Sequence, residues 1–506
     1  MKLEASLVLL LAAPLAIAEI GEERSAYQRL EDGQEYTLTL QELIRRGELS
    51  FVAEWTPIEG GGRPLSKGTG APVSDPASPL RFPHSFNRVS ARDANSCAGC
   101  HNAPFGEPGG GGDFVTGVFV AAQRFDFATF DNNDILPLRG SSDESGAPAT
   151  LQQIGNFRAT LGMYGAGYIE MLARQMTADL QAVRDGVQPG ETRQLGSKSV
   201  AFGTIGRFAD GSWDTSGTEG LPPQSLTSSG PADPPSLIIQ PFHQSGSVVS
   251  IRQFTNNAFN HHHGMQSVER FGDHIDADGD GMSNELTRAD ITAASIFQAT
   301  LPPPAVVLPE DPAARRAAIS GRAIFSAIGC GGCHVPALPL DEEGWVYTEP
   351  NPYNPPGNLQ LGDAETLTVD LSDSRLPGRR LKPRNGTVWV PAFTDMKLHD
   401  ITSGPNDPNR EHIDINQAGG SPEFLAGNRF FLTKKLWGAA NERPYFHHGQ
   451  FTTLREATLA HSGEALASRL SFESLGSARQ DEVIEFLKTL QVPQPQPQPG
   501  HGGRKP

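Results

Sequence analysis

Cys97-Ala98-Gly99-Cys100-His101 and Cys330-Gly331-Gly332-Cys333-His334 decide how this chain is read. The chain has four cysteines, and all four lie in these two pairs. Each pair is followed at once by a histidine. Two residues between the thiols space the sulfurs to meet the two vinyl groups along one porphyrin edge. The adjacent histidine then reaches the iron as its fifth ligand. An exported Cys-x-x-Cys can also form a disulfide, and two pairs can form a four-thiolate zinc site. Neither alternative calls for a histidine after both pairs, and a zinc site expects the pairs close together. The expectation is two covalently bound haems c. One is held by Cys97, Cys100 and His101, the other by Cys330, Cys333 and His334.

The rest of the composition fits an exported protein. The chain has 506 residues, enough for two or three domains. It carries 55 glycines and 41 prolines, which predicts long loops around modest helices. Hydrophobic residues make up 37%, low for a large core, and an apolar cofactor face would supply part of the remainder. The net charge of −17 repels phosphate backbones, so nucleic acid is not an expected partner. Leu7 to Ile17 is an apolar run shorter than a bilayer span, followed by Ala16-Ile17-Ala18, a small-x-small cleavage site. Residues 1–18 therefore read as a signal peptide. The expected location is the periplasm or outside the cell, with no stable membrane insertion after cleavage.

The expected fold class is mainly α, with two cytochrome c-like haem domains, long loops and a proline-rich linker. Residues 19–80 form an N-terminal segment, with a short helix within Leu40 to Trp55. Residues 81–300 hold the first haem domain, with helix at Tyr168 to Leu180 and a polar surface excursion over 186–240. Gly106 to Gly112 reads as a flexible loop. Residues 301–310, Leu-Pro-Pro-Pro-Ala-Val-Val-Leu-Pro-Glu, read as a stiff linker. Residues 311–492 hold the second haem domain. Asp311-Pro312 starts a helix to about Ala327, because Asp caps it and Pro suits its first turn. Ser477-Ala478-Arg479-Gln480 has the capping-box pattern, and Val483, Ile484, Leu487 and Leu490 follow at helical spacing. Residues 493–506 are a Pro/Gln/Gly tail expected to be disordered.

Asp276-Ala277-Asp278-Gly279-Asp280-Gly281 alternates carboxylates and then turns on glycine. Such alternation lets three oxygens converge on a hard cation, so one calcium ion is the candidate. Met282 would offer its carbonyl. The pattern departs from an EF-hand because Thr287 stands at the bidentate twelfth position. Glu285 or Asp290 would close the site instead.

With these motifs in hand, the chain resembles the di-haem cytochrome c peroxidase superfamily. It is most similar to the di-haem oxidoreductase branch, also called thiol oxidoreductases or peroxidases, from about Phe82 to Val492. The resemblance rests on Asn260-His261-His262-His263-Gly264-Met265-Gln266, on Phe393-Thr394-Asp395-Met396-Lys397-Leu398-His399-Asp400 and on Leu436-Trp437-Gly438. It rests also on Pro444-Tyr445-Phe446-His447-His448-Gly449 with Thr453-Leu454-Arg455-Glu456-Ala457. Where the family often has His-Asp-Gly, this chain has His447-His448-Gly449. The resemblance implies two cytochrome c-like domains with one haem reactive and the other passing electrons.

It also implies that the stretch holding His461 supplies the sixth ligand of the second haem. A histidine there lowers the potential relative to methionine and closes that haem to substrate. The first haem is then the reactive one, with Glu170, Arg158 and His262 as candidates for proton transfer and for positioning of an oxidant. Propionate contacts fall to His399, His447 and His243. The five tryptophans read as buried packing or as an electron relay. The expected partners are hydrogen peroxide or another small oxidant and a small periplasmic electron donor. The rival functions are an oxygenase or oxidase of an organic substrate, and a non-enzymatic electron-transfer cytochrome. Thiol chemistry has no basis here, because every cysteine is committed to haem.

Overall fold

The computed structural model describes residues 28–61, 94–116, 141–142, 148–149, 156–276, 280–417 and 421–492. The expected signal peptide, most of the Gly-rich stretch after Glu59, Asp278 and the tail beyond 492 lie outside them. Six helices frame the site: α1 (Leu40–Val52), α2 (Ala166–Asp185), α3 (Ile251–Ala258), α4 (Arg288–Ala299), α5 (Pro312–Ala327) and α6 (Ser477–Leu487).

Local chemistry explains where these helices start. Thr39 caps α1, and Glu42 reciprocates to complete a capping box. Thr287 and Asp290 do the same for α4. Asp311 accepts from the Ala314 N–H at 2.8 Å and Pro312 opens α5, as expected. The expected capping box at Ser477 does not form. Gly476 is the N-cap, and Gln480 turns back to donate to the carbonyls of Phe472, Glu473 and Leu475. Leu490 leaves the helix and enters a short strand.

Small residues let helices cross closely. A Cβ on Gly47 of α1 would sit 2.0 Å from the Ala293 carbonyl of α4. On Gly321 of α5 it would sit 1.8 Å from the Glu482 carbonyl of α6. Beside that second crossing the Phe325 and Phe486 rings pack 5.3 Å apart.

The mainly α expectation is corrected. Helix accounts for 33% and strand for 15%, with six two-stranded sheets and one of three strands among the described residues. Most of these strands span only two to six residues, too short for alternation to register in the sequence. Residues 186–240 are more than a surface excursion. Thr192–Ser197, Val200–Arg207 and Trp213–Asp214 form an antiparallel sheet. It packs Leu195, Phe202 and Ile205 into the core against α2. The proline-rich stretch is tied down: Ala305–Val306 pairs with Leu490–Gln491, and Pro303 and Pro304 are buried. Trp55 and Trp437 are core residues, whereas Trp389 is 56% exposed.

Candidate haem sites

The first motif begins at Ser96, whose hydroxyl caps the single helical turn Cys97–Cys100 by accepting from the Gly99 N–H at 3.1 Å. His101 ends that turn. Its Nδ1 meets the Gly110 carbonyl at 3.0 Å. The expected flexible loop Gly106 to Gly112 therefore wraps the motif. Glycine is required there: a Cβ on Gly110 would lie 1.8 Å from the Ala103 carbonyl, and one on Gly112 1.8 Å from that of Cys100. The Phe51 ring packs 6.0 Å from the imidazole.

The second motif follows α5 after Gly329, whose φ of +91° suits glycine. His334 Nδ1 meets the Phe393 carbonyl at 3.2 Å, and His461 Nδ1 meets the Ala457 carbonyl at 2.8 Å. Burial pushes His101 and His334 down to about 4 and lowers His461 as well, so all three imidazoles are neutral at pH 7. A carbonyl only accepts, so Nδ1 carries the proton in each ring. The Nε2 lone pair is then free for a metal.

The His334 and His461 ring centroids lie 6.4 Å apart, with planes crossed at 70°. Two metal–nitrogen bonds of about 2 Å plus roughly 1 Å from each nitrogen to its ring centre give about 6 Å. The two rings fit one iron between them. The four cysteines are free thiols, and all four line the cavity that His101, His334 and His461 also line. That cavity measures about 450 Å³. Burial raises Cys97 to about 12 and Cys330 to about 11. The donor set, its apolar surround and its enclosure suit haem at both motifs.

Of the candidates for proton transfer, Arg158 and His262 line the cavity, whereas Glu170 does not. Glu170 is fully buried on the other side of α2. It pairs with Arg174 and accepts from the Ile251 N–H at 2.7 Å and from Asn351 at 2.7 Å. Arg158 contacts Glu411 at 3.2 Å and His243 Nε2 at 2.5 Å. Burial, reinforced by Arg158, drives His243 well below its usual range, so it is a neutral acceptor. His447 is likewise held neutral by burial and stacks on Phe431 with centroids 3.8 Å apart.

Of the triple histidines, His261–His263 sit on a π-helical turn extending α3. There His263 Nε2 touches the Cys97 sulfur at 3.3 Å and Nδ1 meets the Ala94 carbonyl at 2.9 Å. His399 is clamped between Asp395 at 2.8 Å and Glu464 at 2.7 Å. Burial opposes its charge, but its hydrogen bonds to Asp395, Cys333 and Glu464 prevail and push it up to about 11.

Sequence reading missed Lys434 and Lys435, which line the same cavity. Their only signal was two adjacent cations ahead of Leu436-Trp437-Gly438. In the Asp-rich loop, Asp276 accepts from the Asp280 and Gly281 N–H groups at 3.2 and 3.0 Å. Asp280 accepts from the Met282 N–H at 2.7 Å. Glu285 accepts instead from the Gln266 N–H at 2.7 Å, and Asp290 from Leu30 at 3.0 Å.

Both Cys-x-x-Cys-His motifs open on one cavity, and part of the chain is similar to di-haem redox enzymes. Residues 381–490, about a fifth of the chain, match the family described as "Di-haem oxidoreductase, putative peroxidase", which bears out the resemblance read from the sequence. No curated protein matches the chain. Hydrazine synthase of Kuenenia stuttgartiensis, solved under 20 bar of xenon, is 12% identical over 97% of this chain and 100% of that chain. Its TM-score of 0.31 is too low to carry an argument. Among the described residues, no helix is long and apolar enough to cross a membrane.

Proposed function

We propose that this chain binds two thioether-linked haems and reduces hydrogen peroxide to water at the His101 site. Electrons would enter through the His334 site from a small periplasmic donor protein. The bound haem iron supplies the redox chemistry. One observation carries the reading: the two sites differ in what faces them. His334 faces a second imidazole at 6.4 Å, an arrangement that closes the site and suits electron transfer. His262 and Arg158 line the cavity that His101 lines, beside the neutral His243.

This chain's residues then divide the work. Reduction of one peroxide consumes two electrons and two protons and yields two waters. Arg158 stays cationic beside Glu411 and orients a peroxide oxygen through its N–H groups. His262, which lines the cavity, is assigned to take the first proton and return it to the leaving oxygen. His243, already accepting from Arg158, fixes the guanidinium rather than moving a proton. The apolar wall of Phe51, Phe254 and Phe259 excludes water.

Absorption and electron spin resonance on the purified protein test the proposal. It expects one high-spin and one low-spin haem, and rapid bleaching of the high-spin signals by peroxide after half-reduction. Two low-spin haems inert to peroxide would leave an electron-transfer cytochrome. A stable dioxygen adduct on the protein as isolated would favour oxidation of an organic substrate.

A further inference from the structure

We propose that Lys434 and Lys435 are the cations that receive the haem carboxylates, one lysine serving each haem. This rests on the di-haem reading above and extends it to residues that reading does not use. Both lysines line the cavity that carries both cysteine motifs. The segment holding them runs between the two proximal histidines. Lys434 lies near the His334 ring, and Lys435 lies within electrostatic reach of His101.

The segment is also held firmly. The Thr433 N–H donates to the Lys397 carbonyl at 2.9 Å, and the Thr433 carbonyl accepts from the Thr394 hydroxyl at 2.7 Å. The Leu436 N–H donates to the Ala392 carbonyl at 2.9 Å. Both side chains therefore start from fixed roots beside a mostly apolar cavity.

Charge balance gives the argument its direction. Among the described residues, the carboxylate whose charge acts on both lysines is Glu442. Glu442 is itself buried, where a Cβ on Gly162 would collide with it. Two ammonium groups thus share one carboxylate. Both lysines are half-buried, and loss of solvent lowers both, Lys435 to about 8. Lysines drawn part-way into an apolar cavity are favoured there when anions meet them. Each haem brings two carboxylates on one edge, and the lysine ammonium is a compact three-proton donor suited to them. Lys435 is assigned to the His101 haem and Lys434 to the His334 haem.

The test uses the full chain loaded with haem and the variants Lys435→Met, Lys434→Met and Lys435→Arg. Spectroelectrochemistry reads each haem's midpoint, and absorption reads its spin state. A cation near a haem disfavours its oxidised, more positive form, so losing the cation lowers the midpoint. Lys435→Met is expected to lower the His101 haem selectively, Lys434→Met the His334 haem, and Lys435→Arg to stay near the parent. Unchanged midpoints in both methionine variants, with both haems present, would overturn the assignment. So would a change of spin state in Lys435→Met, which would make that lysine an iron ligand. A polypeptide mass without haem would sink the di-haem reading and this inference with it.

Discussion

His461 and His448 show how single imidazoles set the behaviour of this site. Replacing His461 by alanine removes one of the two rings facing each other at 6.4 Å. The second haem should pass from low-spin to high-spin, read in the visible spectrum, while His461→Met should keep it low-spin and raise its midpoint. A spectrum unchanged by either substitution would remove His461 from the iron. His448 makes a pH prediction. Its Nδ1 accepts from the Gln450 N–H at 3.1 Å, so Nε2 carries the proton to Asn409 Oδ1 at 2.8 Å. Burial holds it at about 4, below its ordinary 6.5. The unfolded chain therefore binds the extra proton first. The stability linked to this neutral ring is complete above pH 6.5 and falls as pH drops toward 4. Thermal melts should lose up to about 1.4 kcal/mol per pH unit across that window. The His448→Gln variant should show a flatter profile, and an equal slope would refute the role.

The helices were legible wherever their chemistry was local, and the distribution of side chains over faces was not. Asp311 and Pro312 announce α5 within two residues, and each five-residue cysteine motif brings its thiols and histidine to the cavity. Glu170 shows the limit. Ile169 lines the cavity, but Glu170 lies about 100° further round α2 and meets Ile251 and Asn351 instead. No local signal separates those two faces, because both are buried. Lys434 and Lys435 were unreadable for a similar reason: segments remote in sequence enclose them. The small sheets escaped because each strand is stabilised by a partner far along the chain, as with Ala305–Val306 and Leu490–Gln491. Helix crossing itself makes a prediction. Gly321→Ala in α5 drives a methyl into the Glu482 backbone of α6, which no rotamer relieves. Overpacking of this kind costs about 1–3 kcal/mol. A melting temperature equal to the parent's would show that the two helices separate freely.

At the scale of the whole molecule, the cavity is a seam sewn from both parts of the chain. Arg158 pairs with Glu411, both nearly inaccessible, and the Ala159 N–H donates to the His447 carbonyl at 2.8 Å. Gly165 abuts Trp437 and Pro303 so closely that a Cβ there would lie 2.6 Å from the indole. The Val307 N–H donates to the Thr489 carbonyl at 2.7 Å, so the proline stretch is bound to the last strand rather than swinging between halves. Two motif-bearing regions joined this way should not unfold separately. Calorimetry of the haem-loaded protein should give one transition, with haem absorbance and helix signal lost together. Glu411→Ala leaves the buried Arg158 guanidinium without its carboxylate, a loss of about 3–5 kcal/mol. Because Glu411 holds a residue from the first part of the chain, its removal should move the whole transition down without splitting it. Two resolved transitions, in the parent or in Glu411→Ala, would mean that each haem region is stable by itself and that the seam contributes little.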